Sequence, residues 1–296
     1  MRKTFKAYYV WPKFPSISMS GNVCMLSCKH CNRVYLNDMQ GFTKPERLLS
    51  FCKKLDNNGG VGILLSGGCD RKGRMLNLRR FLPVIKQIKN ETNLVVKLHT
   101  GLVDENLAGD IADADVDIAS MECIGSNETI KEVFGLDATI EDYANTFKNL
   151  QSAGVKHIVP HICIGLHQGK VIGENKALEI IKENCKPSVL VFIVLRPTPG
   201  TKYENILPPN PDSVKKIVTN AKKLFPNVEI SLGCMRPRNN YREKIEETAV
   251  EAGVTRMEIP LETTIEKAME MGFSIKRIDA CCALPEEFED KATRHP

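Results

Sequence analysis

Eight short apolar, β-rich runs separated by longer amphipathic segments constrain this chain more than any other feature. The candidate strands are residues 16–19, 61–66, 94–99, 116–121, 157–164, 189–195, 228–232 and 255–259. Between them, helical periodicity runs through residues 44–55, 78–89, 140–153, 175–183, 212–225, 241–252 and 264–271. Several of these segments end near glycine, in QSAG, EAG and EMG, where a left-handed closing residue is needed. Strands alternating with helices predict a parallel α/β architecture, and eight of them predict a single (β/α)8 TIM-type barrel, whose usual size of about 250 residues suits a chain of 296. The main alternative is an open doubly wound sheet, and both place their chemistry at the carboxyl ends of the strands. With no linker or low-complexity stretch, the expectation is one barrel over residues 1–272 and a C-terminal extension, residues 273–296, carrying two cysteines.

With 42% hydrophobic and 26% charged residues, the chain can bury a large core. Its net charge of +5 is spread without basic clusters or interleaved aromatics, so no nucleic-acid partner is expected. No apolar run approaches the roughly 20 residues that cross a bilayer. The start, MRKTFKAYYVWPKFP, lacks an apolar core followed by a small-residue cleavage site. A cytoplasmic location, away from membranes, is therefore expected.

Eleven cysteines in such a chain point to metal or cluster ligation more than to disulfides, because the cytosol keeps thiols reduced. Three of them, Cys24, Cys28 and Cys31, form a C-x3-C-x2-C array in CMLSCKHC, directly after the first candidate strand. A 4Fe-4S cluster takes one ligand per iron, so three thiolates leave one iron open. The rival reading is a zinc site completed by His30, but that residue is adjacent to Cys31 and would have difficulty bending back to the same ion.

At this point the sequence resembles the radical S-adenosylmethionine (SAM) enzymes, whose signature is this array after the first strand of a (β/α) barrel. The resemblance implies that the open iron binds the amino and carboxylate groups of SAM, and that electron transfer, from a donor protein such as a ferredoxin, yields a 5′-deoxyadenosyl radical. Ser66, Gly67 and Gly68 close the second strand where the family has a Gly-Gly-Glu that receives the cofactor's ammonium, although Cys69 stands here in place of the glutamate. Glycines suit a backbone that approaches a ligand closely; the same residues also make an ordinary strand-to-helix turn. Ile164 and Gly165, ending the fifth strand with Ile162 nearby, resemble the adenine-contacting segment of relatives. Glu122 is a candidate for the cofactor ribose or amine, or else a solvated rim carboxylate. Alternation sends His157, Val159, His161 and Cys163 to one face, and pairs Lys97 with His99 in the same way. RPTPGT, residues 196–201, is similar to a turn in biotin-synthase-like enzymes.

Cys69, Cys123, Cys163 and Cys234 each fall at or beyond a strand's carboxyl end, where a barrel gathers residues distant in sequence, and Cys281 and Cys282 lie in the extension. A second, auxiliary iron–sulfur cluster held by some subset of these six is expected. Cys52 and Cys185 fall in or beside helical segments and read as buried thiols. In biotin synthase an arginine completes the auxiliary cluster, and Arg236 in LGCMRPR occupies a similar place; a guanidinium more often pairs with an anion.

The strongest likeness is to the biotin synthase group. The phrases SGGC, HTGLVD, PHICIGLHQGK, LGCMRPR and CCAL resemble a subunit of the archaeal-type two-component lipoyl synthases. That resemblance implies sulfur insertion at unactivated C–H positions of an octanoyl group on a lipoyl carrier protein, with a second radical SAM subunit as partner. Two other readings stand beside it. One is a single-cluster radical enzyme of carbon-skeleton rearrangement or metal-cofactor assembly; the other is a non-catalytic iron–sulfur scaffold.

Overall fold

In the computed structural model, which describes residues 3–238 and 240–294, the alternation becomes one parallel sheet of eleven strands. In chain order the strands are β1 (Thr4–Tyr8), β2 (Ser16–Ser18), β3 (Gln40–Gly41), β4 (Gly62–Ser66), β5 (Val95–His99), β6 (Ile118–Glu122), β7 (His157–Ile164), β8 (Val189–Val194), β9 (Glu229–Leu232), β10 (Arg256–Glu258) and β11 (Ser274–Ile278). The helices are α1 (Pro45–Asn57), α2 (Leu78–Glu91), α3 (Glu105–Asp113), α4 (Asn127–Thr129), α5 (Ile140–Ser152), α6 (Glu174–Asn184), α7 (Pro211–Leu224), α8 (Tyr241–Ala252) and α9 (Glu262–Glu270). The strand order is β11-β1-β10-β9-β8-β7-β6-β5-β4-β2-β3.

The eight expected strands are β2 and β4 to β10, side by side in chain order. The sheet differs from an eight-stranded closed barrel in having three further strands and, among the described residues, no ladder joining its edges β3 and β11. It is a curled, open half-barrel. The physical reason lies in the first 18 residues: β1 takes a place between β10 and β11, and the chain then reaches β2 through WPKFP. Pro12 and Pro15 in that link have no N–H to give a ladder.

Alternation sorts the side chains into two layers. Val96 and Leu98 of β5 face outward with Phe81, Ile85 and Ile88 of α2 in the larger core, while Val95 joins an inner core with Ile118, Val159, Val189 and Val191. Helix ends are set locally: Asp104 caps α3 by accepting from the Leu107 N–H at 2.9 Å, and Thr139 with Asp142 makes a capping box for α5.

The segment from Phe273 onward supplies β11 and then turns inward. Ala280, Cys281, Cys282, Ala283 and Leu284 join the inner core with residues that begin the strands, so they plug the amino-terminal end of the sheet interior. Below them lies a buried charged network. Glu289, 1% exposed, accepts from Lys6 at 3.0 Å, Tyr8 at 2.8 Å and Arg256 at 2.8 Å, and Arg256 also reaches the Tyr8 hydroxyl and the Leu284 carbonyl. The plug leaves the carboxyl end as the open mouth. Among the described residues no helix is long and apolar enough to cross a membrane.

Candidate active site

The stretch after β2 is folded by its own backbone. Asn32 N–H donates to the Cys28 carbonyl at 2.9 Å and Val34 N–H to the Cys31 carbonyl at 2.8 Å, with Asn32 and Arg33 in the left-handed region. The coil turns the three thiols toward one cavity of about 330 Å³, lined also by Ser66, Gly67, Gly68, Cys69, His99 and Glu122. The carboxyl end of β4 clamps it: Met25 N–H donates to the Cys69 carbonyl at 2.8 Å, Gly68 N–H to Ser20 Oγ at 2.8 Å, and Cys69 N–H to Cys24 Sγ at 3.3 Å. A Cβ on Gly68 would lie 2.5 Å from Cys24 Cβ, so glycine is required by the close approach of the cysteine loop.

The thiols perturb one another. A hydrogen bond from Cys28 favours the Cys31 thiolate and lowers it to about 7, while the same bond, followed by burial, pushes the Cys28 thiol up. Burial raises Cys69 to about 12, with the Cys24 charge adding to it. Glu122 rises to about 7 through burial and then the Cys31 charge. Burial drops His30 to about 4; its ring meets Phe134 edge-on at 5.2 Å and its Nδ1 has no partner. His30 lines the cavity, and among the described residues its ring nitrogens form no group of three ligand atoms within 4.8 Å with the cysteine thiols. RPTPGT closes on the same loop, with Asn32 Nδ2 donating to the Gly200 carbonyl at 3.3 Å and Tyr35 meeting Thr198.

The remaining expected residues separate into groups. Cys69 belongs with the first three thiols. Cys123 faces outward, its thiol reaching the Ala177 carbonyl of α6 at 3.6 Å, with Cys185 close enough for its charge to act on it. Cys163 points inward, among the charges of Glu122 and Glu174. Ile164 packs in the outer core, and Gly165, at φ 78°, donates its N–H to Glu174 at 2.8 Å. Cys281 and Cys282 meet Glu258 deep in the interior, each pair of ligand atoms within 4.8 Å. Alternation along β10 could have found Glu258, because Arg256 and Glu258 share the inner face.

Between the two thiol groups stand Lys97, His99 and His161. The His99 and His161 rings meet at 4.9 Å. Burial, then the Lys97 charge, holds His99 down to about 3, and lowers His161 as well. His161 Nδ1 lies 3.0 Å from the Val159 carbonyl, which can only accept, so the neutral ring leaves Nε2 unprotonated. Arg236 is fully engaged: Nε donates to Glu246 at 2.8 Å, Nη1 to the Gly233 carbonyl at 2.8 Å and Nη2 to the Glu258 carbonyl at 2.7 Å. It fastens the loop carrying Cys234 to β10 and offers no free donor atom for ligation.

Three converging thiols, a glycine cradle at Gly67 and Gly68 and the orphaned His30 Nδ1 fit a 4Fe-4S cluster with a nucleoside-bearing ligand beside it. The sequence pattern of the radical SAM superfamily matches residues 19–171, and the chain belongs to that superfamily. Within it, the chain is 23% identical to biotin synthase of Geotalea uraniireducens over 201 residues, covering 66% of this chain and 58% of that protein. It is 26% identical to biotin synthase of Methanococcus aeolicus over 244 residues, covering 77% and 70%. The fold is similar to that of the FeFe-hydrogenase maturase HydG from Carboxydothermus hydrogenoformans, with TM-score 0.66, 17% identity and coverage of 96% of this chain and 70% of that one.

Proposed function

We propose that this radical SAM enzyme inserts sulfur at unactivated C–H positions, and that its substrate is an octanoyl group carried on a lipoyl carrier protein. The observation that carries the reading is the presence, within one sheet interior, of two separate thiol groups, Cys24, Cys28 and Cys31 at the mouth and Cys281 with Cys282 at depth. A sulfur-inserting enzyme needs both a site that opens the C–H bond and a sulfur source, and an auxiliary iron–sulfur cluster would be that source. The likeness to biotin synthases agrees with it.

Cys24, Cys28 and Cys31 would hold the cluster, and Ser66, Gly67, Gly68 and Glu122 would receive SAM. When bound, these groups supply reductive cleavage of a sulfonium and removal of hydrogen from an unactivated carbon. The chain's own part is to bind, orient and exclude water. Gly68 lets the β4 backbone approach the cysteine loop. Glu122, raised to about 7, can keep a proton near neutrality and donate it in a hydrogen bond to a ribose hydroxyl. Leu26, Leu36, Met39, Met75 and Met121 give the cavity apolar walls that suit an acyl chain. An electron donor such as a ferredoxin and a second radical SAM subunit would complete the system.

The test is to reconstitute the protein anaerobically with isotopically heavy sulfide, then supply SAM, reductant and an octanoylated carrier domain, alone and with a candidate second subunit. Heavy sulfur in the acyl chain is expected. Formation of 5′-deoxyadenosine without sulfur transfer in either arm would favour a single-cluster rearrangement or maturation reaction instead.

A further inference from the structure

The inner plug contains a group that no packing requirement explains. Cys281 and Cys282 are 9% and 4% exposed, and Glu258, the last residue of β10, is 2% exposed. Glu258 Oε2 accepts from the Cys282 N–H at 3.1 Å, whereas Oε1 is buried with no partner. Ser231 Oγ, on the neighbouring strand β9, is buried beside the Cys282 thiol. Lys97 reaches Cys281 Sγ at 3.4 Å from β5. A buried carboxyl oxygen without a partner is costly whether the group is ionised or carries the proton that burial favours, and neither Lys97, which reaches Cys281, nor the thiols satisfy Oε1. A bound cation would.

We propose that Cys281, Cys282 and Glu258 form a second metal site, separate from the three-cysteine loop, which takes a thiophilic metal: a single divalent iron or zinc ion, or iron anchored as part of a cluster. Their ligand atoms all lie within 4.8 Å of one another. Tetrahedral bonds of about 2.0–2.3 Å place neighbouring donors roughly 3.5 Å apart, so small side-chain rotations close the set on one ion. Charge supports the same occupant. Two thiolates and a carboxylate carry three negative charges, which a divalent ion and the Lys97 ammonium balance in a site that water does not reach. Adjacent cysteines can both point inward here because the plug is irregular chain between β11 and the 3-10 turn at Glu286–Phe288, not a strand. Cys234 lies near enough to Glu258 and Cys281 for their charges to act on its thiol, which burial raises to about 11, and it is placed to serve as a further ligand.

The site deepens the auxiliary-centre reading and rests on it for any role in sulfur donation, while metal binding itself is independent of SAM chemistry. The test uses the full chain with Cys24, Cys28 and Cys31 all changed to alanine, reconstituted with iron and sulfide or loaded with cobalt(II). Metal should remain bound, and cobalt should show thiolate charge-transfer absorption. In that background Cys281→Ser should abolish the signal. Glu258→Gln, which keeps the shape of the side chain, should weaken affinity at least tenfold, with thermal melting confirming that each variant is folded. Iron accompanied by acid-labile sulfide identifies a cluster. One ion without sulfide identifies a mononuclear centre, so that the site stands and the sulfur-donor role falls. A folded triple variant that binds no metal, or binding indifferent to both further substitutions, overturns the proposal.

Discussion

Replacing Gly68 by alanine tests the joint between β4 and the cysteine loop. The added Cβ would sit 2.5 Å from Cys24 Cβ and 2.6 Å from Cys24 Cα, and closer still to the Val23 carbonyl, where ordinary contact begins at 3.4 Å. Gly68 has no left-handed backbone to lose, so the penalty is collision alone. Two of these three atoms are backbone atoms of the loop, which must therefore move by the order of an ångström and carry the Cys24 thiol with it. Overpacking of this kind costs about 1–3 kcal/mol, which for a domain of this size lowers the melting temperature by several degrees, at about 2–4 °C per kcal/mol. Displacement of a reacting group by about 1 Å costs on the order of 100-fold in rate. Iron per chain after reconstitution, the melting temperature and the rate of 5′-deoxyadenosine formation are the measurements. Full iron content with an unchanged rate would refute the claim that the β4 turn positions the cluster loop.

Three further outcomes follow from the same structure. Gly109→Ala, inside α3 with nothing within 4 Å of the new Cβ, should stabilise the protein by about 0.5–1 kcal/mol without affecting iron content, read by thermal melting. Glu289→Gln should cost about 3–5 kcal/mol, because it leaves the buried Lys6 and Arg256 cations to share the single carboxylate of Glu229; chemical denaturation measures it. Burial raises the Glu289 carboxyl, but Arg256, Lys6 and Tyr8 outweigh it and hold the net value below 4.5. Its stabilisation is therefore present above pH 4.5 and lost as pH falls through the lower folded value, and the acid limb of stability should be weaker in the variant. Cys123→Ala, on the outward face, should leave metal content unchanged at a cost of about 1 kcal/mol, seen by metal analysis and melting.

The eight runs that alternate with helices were legible because buried parallel strands read as apolar stretches and the helices carry a 3.6-residue stripe. β1 was not legible: TFKAY places Lys6 and Tyr8 on its inner face, and only partners far along the chain, Glu229 and Glu289, make those residues acceptable there. β11 was hidden for a similar reason, since SIKRI carries two cations and sits at an edge of the sheet. α3 escaped because ENLAGDIAD is short and interrupted by Gly109.

The sequence by itself determined the parallel α/β class and the three-cysteine loop at a strand's carboxyl end, since both depend on local spacing and periodicity. The grouping of the other cysteines was decided only by tertiary structure. Cys69 joins the first thiols through backbone contacts across 45 residues, Cys123 turns away from the interior, and Cys281 and Cys282 meet Glu258 because the chain's last segment folds into the sheet. Spacing along a chain fixes which face of a strand a side chain takes. Which distant faces then meet depends on how the sheet curls and on what fills its open end.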